Sequence, residues 1–424
     1  MKKILLFLAI IFLCNYIIAQ TDSAIYSKFA TAQNRQKFSN QLNHSITTNL
    51  SLPLNDSTEE NWQDAFSAME LIGYQQAWTK PAIKMAVDSL EKRSLNFQQA
   101  LLEMLYAGRQ TQFVIPVTHL LMNTTTAKIF AVCAEYLLLK DTSKKTIAMV
   151  RGAGINKMQS LTDDKEKVIM AEFFRHLDNL VKKKPYPDQQ LLKPLFNKNY
   201  LPGKVVVYSL QRKNRNYPGL VMVRDTAGNF IKNDVGKIWW LHQLARSVSN
   251  MPAYITNGNT PQGIFNLYGF DKSRSNFIGP TENLQLTMPY ETSIQHFLND
   301  STIADTSWNK KWYARLLPAA LKNYEPLYET FYASGAGRTE IIAHGTAVDP
   351  EFYKGQSYYP YTPTAGCLCT REIWDTNGKR SVSDQQKLAN AVKKAGGANG
   401  YLIVIELNDA QKPVTVEEIL PFIK

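Results

Sequence analysis

Cys367 and His344 are the residues of this 424-residue chain whose types and setting suit covalent chemistry. Cys367 lies in Thr362-Pro363-Thr364-Ala365-Gly366-Cys367-Leu368-Cys369-Thr370-Arg371, and His344 in Arg338-Thr339-Glu340-Ile341-Ile342-Ala343-His344-Gly345-Thr346. A thiol with a pKa of about 8.5 is only slightly ionised at neutral pH, so a cysteine nucleophile needs a base or a cation beside it. An imidazole at a strand end supplies such a base. Gly366 permits a sharp turn that would aim the N–H groups of Gly366 and Cys367 at the oxyanion of an acyl-transfer intermediate, each donor lowering the barrier by about 3 kcal/mol. Arg338 and Arg371 are candidates to grip substrate carboxylates, because guanidinium groups bind them bidentately; otherwise they are solvated surface charges. The aromatic loop 352–361, Tyr359 included, would cover a cleft or stack on a ligand.

Other chemistries fit these residues less well. A zinc site drawn from His344, Cys367 and Cys369 lacks the paired spacing of structural sites, so no metal is expected. A Cys367–Cys369 disulfide would make the chain a Cys-x-Cys thiol redox protein or mask the nucleophile. Cys133, inside the apolar run Ile129 to Ala134, reads as a buried inert thiol. His119 and His176 read as surface or capping residues, and Glu340 as a rim charge.

The elements that must position the pair come from hydrophobic patterning. Lys2 and Lys3, the apolar stretch Ile4 to Leu13 and Ala19 read as a signal peptide over residues 1–19, which implies a periplasmic or secreted protein. From about Asn61 to Lys184 apolar residues recur at three- and four-residue steps, with breakers such as Thr79-Lys80-Pro81 between segments. Residues 21–190 are therefore expected to form an all-helical domain, either HEAT-like pairs or a bundle. Pro185 and Pro187 place a boundary within 185–200. Beyond it, Lys204 to Leu210, Gly219 to Val223, Ala253 to Thr256, Gly263 to Tyr268, Thr339 to His344 and Tyr401 to Leu407 read as strands, with helices near 308–333 and 383–396. The fold class is α+β, with residues 200–424 mainly β.

Composition narrows the function. Hydrophobic residues make up 44% and charged residues 20%, as in globular proteins, and no apolar run after the leader would cross a membrane. The net charge of +12 favours anionic surroundings, but no nucleic-acid motif and no cofactor motif appears.

The site segments resemble the L,D-transpeptidase catalytic domain of the YkuD type. His344-Gly345-Thr346 and Thr364-x-Gly366-Cys367-Leu368 fit its signature, and Asn259-Thr260-Pro261-Gln262-Gly263-Ile264-Phe265 looks like the Thr-Pro-x-Gly-x-Phe segment that precedes a cleft strand. Two positions depart from the pattern: Ala365 stands where a histidine is usual and Cys369 where an arginine or asparagine is usual. The resemblance covers residues 200–424 at most and implies a transpeptidase-like β sandwich. It implies a peptidoglycan-remodelling cysteine acyltransferase: Cys367 attacks a stem-peptide bond, His344 moves the proton, and the thioester passes to an amine, water or a protein. Thr346 and Thr364 join Arg338, Arg371 and Tyr359 as residues expected to line the substrate. Peptidoglycan stem peptides are the expected partners, with the helical half free to dock a protein. The competing expectation is an inactive wall-binding or scaffolding protein.

Overall fold

A computed structural model describes residues 24–182 and 189–423; the expected signal peptide, residues 1–19, and the proline-bearing segment 183–188 lie outside the described residues. The molecule is α+β. Its helices α1 (Ala32–Asn49), α2 (Glu59–Ile72), α3 (Lys80–Asp88), α4 (Leu95–Ala107), α5 (Val114–Asn123), α6 (Ala127–Lys140), α7 (Lys144–Ser160) and α8 (Asp164–Lys182) come first. Hydroxyl side chains start several of them: Thr31, Ser94, Thr126 and Ser143 each accept a hydrogen bond from the N–H three residues on. Gly73 closes α2 with a left-handed φ of 61°. Helix α6 is buried from Ile129 to Leu138, which makes it the central helix, and Cys133 lies inside it with no exposure. Burial pushes that thiol far above its usual range.

The strands are β1 (Val205–Arg212), β2 (Gly219–Arg224), β3 (Trp240–Gln243), β4 (Gly263–Lys272), β5 (Glu282–Thr287), β6 (Ala343–His344), β7 (Leu368–Cys369), β8 (Glu372–Trp374), β9 (Arg380–Ser383) and β10 (Gly400–Asn408). Eight of them form one mixed sheet in the order β3-β2-β1-β10-β4-β5-β6-β7, and β8 and β9 pair separately. Leu244, just after β3, exchanges two backbone hydrogen bonds with Cys369 of β7, each 2.8 Å. The sheet thus curls until its edges meet, where two stacked sheets were expected. Curling removes the exposed edges that open sheets must protect.

Period-two alternation divides the packing. Val205, Val207, Leu402 and Val404 enter the inner cluster with Phe265, Ala343 and Leu368, which the helix Asp384–Ala395 covers through Leu388 and Val392. Val206, Tyr208, Leu210, Tyr401 and Ile403 face the other way, against Leu192, Leu195 and Phe196 of helix α9 (Gln189–Phe196). Residues 189–196, expected within a connection, are therefore a helix packed on the sheet.

Three further expectations change. Ala253 to Thr256 is a turn-rich loop, because Met251, Tyr254 and Ile255 are buried in the helical core and Asn257 takes φ +59°. The Tyr254 hydroxyl donates to Glu135 of α6, whose other oxygen lies 3.4 Å from His176 Nε2. The Thr339 to His344 strand shrinks to β6 because Glu340 has φ +61°. The helix expected near 308–333 is broken into Lys310–Ala314, short 3₁₀ turns and Glu329–Gly335.

Candidate active site

The site forms where β6 and β7 pair in parallel, with Ala343 opposite Leu368 and His344 opposite Cys369. Ala343 and Leu368 point into the inner core, so the side chains at 344 and 369 emerge on the opposite face, and Cys367 lies directly before β7. Gly366 makes the approach to β7 possible. Its φ is +118°, and an added Cβ would lie 2.2 Å from Arg338 Nη2. At Gly345 a Cβ would lie 2.3 Å from the Glu372 carboxyl carbon. Both glycines thus answer to close neighbours.

The Thr260 hydroxyl donates to the Gly366 carbonyl at 2.8 Å, so the Thr-Pro segment and the cysteine segment, remote in sequence, touch directly. Arg338, only 5% exposed, ties the same place together. Its Nη1 donates to the carbonyls of Ala253 and Asn259, and its Nη2 donates to Gly258 O at 2.9 Å. Expected to grip a substrate carboxylate, this guanidinium is turned inward and engaged by carbonyls. Burial draws it down to about 10, against the opposing pull of Cys367 and Glu329.

Cys367 is half-buried and carries a free thiol. Its sulfur lies 3.4 Å from the Ile342 N–H, which donates to it, and 3.5 Å from Glu340 O. Burial pushes the thiol up, the Ile342 N–H and Arg338 draw it down, and Glu340 and Glu291 push it up again. Cys369 is also a free thiol, buried, beside the Thr362 hydroxyl at 3.7 Å, and burial pushes it up to about 12. His344 is buried, and its Nδ1 is hydrogen-bonded to the Gly345 carbonyl, which assigns that nitrogen the proton and leaves Nε2 with its lone pair. Burial lowers its pKa to about 4, so the imidazole is neutral at neutral pH. Among the described residues no hydrogen bond joins this imidazole to the Cys367 sulfur.

The remaining expected residues have structural partners. The Gly366 N–H donates to Thr364 Oγ1 at 3.0 Å, so it is not free for an oxyanion, and Thr364 in turn donates to Cys367 O at 2.8 Å. Thr346 is buried, accepting from Thr362 Oγ1 at 2.9 Å and from the Val348 N–H at 3.1 Å. Arg371 lies 3.4 Å from Asp384, which answers its charge. Tyr359 is 39% exposed and donates to Glu351 at 2.7 Å, away from the sulfur's contacts. Neither of two clefts between the helical and β parts is lined by Cys367 or His344.

No family model, no curated protein and no solved structure matches this chain.

Sequence reasoning did not single out Glu372 as part of this place. It receives the Thr281 hydroxyl at 2.6 Å and the Ser383 hydroxyl, and burial raises it to about 7. Its neighbour Trp374 donates to Thr346 O at 2.8 Å, so β8 buttresses the His-Gly-Thr segment. Nothing in the local sequence marks these contacts, which depend on the fold. Among the described residues no three His, Cys, Asp or Glu side chains are placed to hold a metal ion, and no helix is long and apolar enough to cross a membrane.

Proposed function

We propose that this protein is an exported cysteine acyltransferase of the L,D-transpeptidase type that remodels peptidoglycan through a thioester on Cys367. One observation carries the reading: Thr260 of the Thr-Pro segment is hydrogen-bonded to Gly366, beside a free, half-buried thiol, with a neutral histidine on strand β6, which pairs with the strand that follows the thiol. The fold that goes with this reading is a transpeptidase-like catalytic part preceded by HEAT-like or bundled helices that dock a protein partner.

In the mechanism, Cys367 Sγ attacks the carbonyl carbon of a stem-peptide bond while His344 Nε2 takes the thiol proton and returns it to the departing amine. The thiol is protonated and the imidazole neutral at rest, so proton transfer accompanies attack. Arg338, held by three carbonyls, supplies the nearby positive charge that favours sulfur anion. The acyl group then passes to an amine, to water or to a protein amine.

Incubation with a carbapenem under reducing conditions, followed by intact-mass measurement, tests this. Wild type should gain one adduct and Cys367→Ala none; an unmodified wild type overturns the proposal. The absence of a His344–Cys367 hydrogen bond and the use of the Gly366 N–H by Thr364 favour a second reading, a catalytically silent wall-binding protein. That reading predicts muropeptide binding without any adduct.

A further inference from the structure

A second cleft, of about 370 Å³, opens between the end of α8 and the β part; neither Cys367 nor His344 lines it, and Ala253 and Asn259 of its wall hold Arg338. Arg215, 4% exposed, forms part of its wall. One arm of its guanidinium is used: Nη2 donates to Glu406 at 2.9 Å and to Thr260 O at 3.4 Å. The other, Nη1, is buried and has no hydrogen-bond partner among the described residues. An unanswered buried guanidinium N–H is costly, and buried polar groups are nearly always paired, so an acceptor from outside the chain is the natural complement. Lys213, exposed at the same wall, adds a second positive charge. Glu329, which accepts from the Gln262 N–H and side chain, and Glu406 are also in the wall, and burial raises the pKa of both, which reduces the negative charge facing the cleft. Leu180, Pro252 and Pro326 supply apolar wall beside these charges.

We propose that this cleft binds a small organic carboxylate with an apolar body, its carboxylate received by Arg215 and Lys213. The chemistry is shared by the free C-terminus of a short peptide and by a simple aliphatic acid. The cleft's volume suits molecules of that size, and its mixed wall is typical of ligand pockets with few convergent polar groups. The inference does not depend on the acyltransferase reading.

Isothermal titration of the full chain carrying Cys367→Ala, which cannot be acylated by a probe, tests it with three ligands. These are N-acetyl-dialanine with a free carboxylate, its C-terminal amide and hexanoate. The free acid should bind at least about tenfold tighter than the amide, and Lys213→Glu should weaken it by a similar factor. Tighter binding of N-acetyl-dialanine than of hexanoate assigns a peptide terminus, and the reverse assigns an aliphatic acid. The double variant Arg215→Met with Glu406→Gln, which avoids leaving one charge buried alone, should abolish binding if it folds by circular dichroism. If it does not fold, the acid-to-amide ratio and Lys213→Glu decide. Equal affinity for acid and amide, no binding of either acid, or binding indifferent to Lys213→Glu overturns the proposal.

Discussion

At the scale of single residues, Cys367 is set by a contest between burial, which holds the thiol protonated, and Arg338 with the Ile342 N–H, which favour the anion. Among the described residues the guanidinium is the full positive charge that favours the sulfur anion, since His344 is neutral at neutral pH with a pKa drawn to about 4. The two side chains therefore separate by experiment. Arg338→Met should move the midpoint of Cys367 alkylation by iodoacetamide to higher pH. His344→Ala should leave that midpoint in place yet slow acylation by about 100-fold, the usual contribution of a general base. An alkylation midpoint that follows His344 instead would show that the imidazole carries charge in the free protein.

At the scale of elements, the turn before β7 depends on one backbone conformation. Gly366→Ala combines a φ of +118° with a Cβ 2.2 Å from Arg338 Nη2. It should destabilise the protein by more than about 2 kcal/mol in urea unfolding, the sum of left-handed strain and displacement of a buried guanidinium. Gly355→Ala in the aromatic loop is the control. Its φ is +88° but nothing lies within 4 Å of the added Cβ, so it should cost only about 1 kcal/mol. Similar losses for the two would place the restraint in the backbone alone. The loop 251–259 shows how elements share duties: Met251, Tyr254 and Ile255 anchor it in the helical core while Gly258 and Asn259 present carbonyls to Arg338. The helical half thereby bears on the site without supplying a residue to it.

At the scale of the whole molecule, buried carboxyl groups link stability to pH. Burial raises Glu70 to about 8 and Glu372 to about 7 from an ordinary value of 4.5. Between those values the folded protein binds protons that the unfolded chain has lost, so stability is greatest near pH 5 and declines as pH rises toward 8. His344 acts on the acid side, where its lowered pKa means that the unfolded chain binds the extra proton between about 4 and 6.5 and stability falls with acidity. Melting temperatures measured from pH 5 to 8 should therefore fall, with a shallower slope in Glu70→Gln and Glu372→Gln. A slope unchanged by both substitutions would show that these carboxyls are solvated.

The amino-acid sequence by itself determined what depends on local pattern. Apolar residues at three- and four-residue steps specified the helical part, and short β-branched runs specified β1, β2, β4 and β10. It also singled out the segments holding His344 and Cys367. Tertiary structure alone decided that Leu244 meets Cys369 to close the sheet, that Arg338 faces inward, and that Ala253 to Thr256 is drawn into the helical core. The physical reason is that a side chain's partners depend on which surfaces its burial brings together. A guanidinium that finds three carbonyls at the end of a folded loop has the same letter in the sequence as one that meets water.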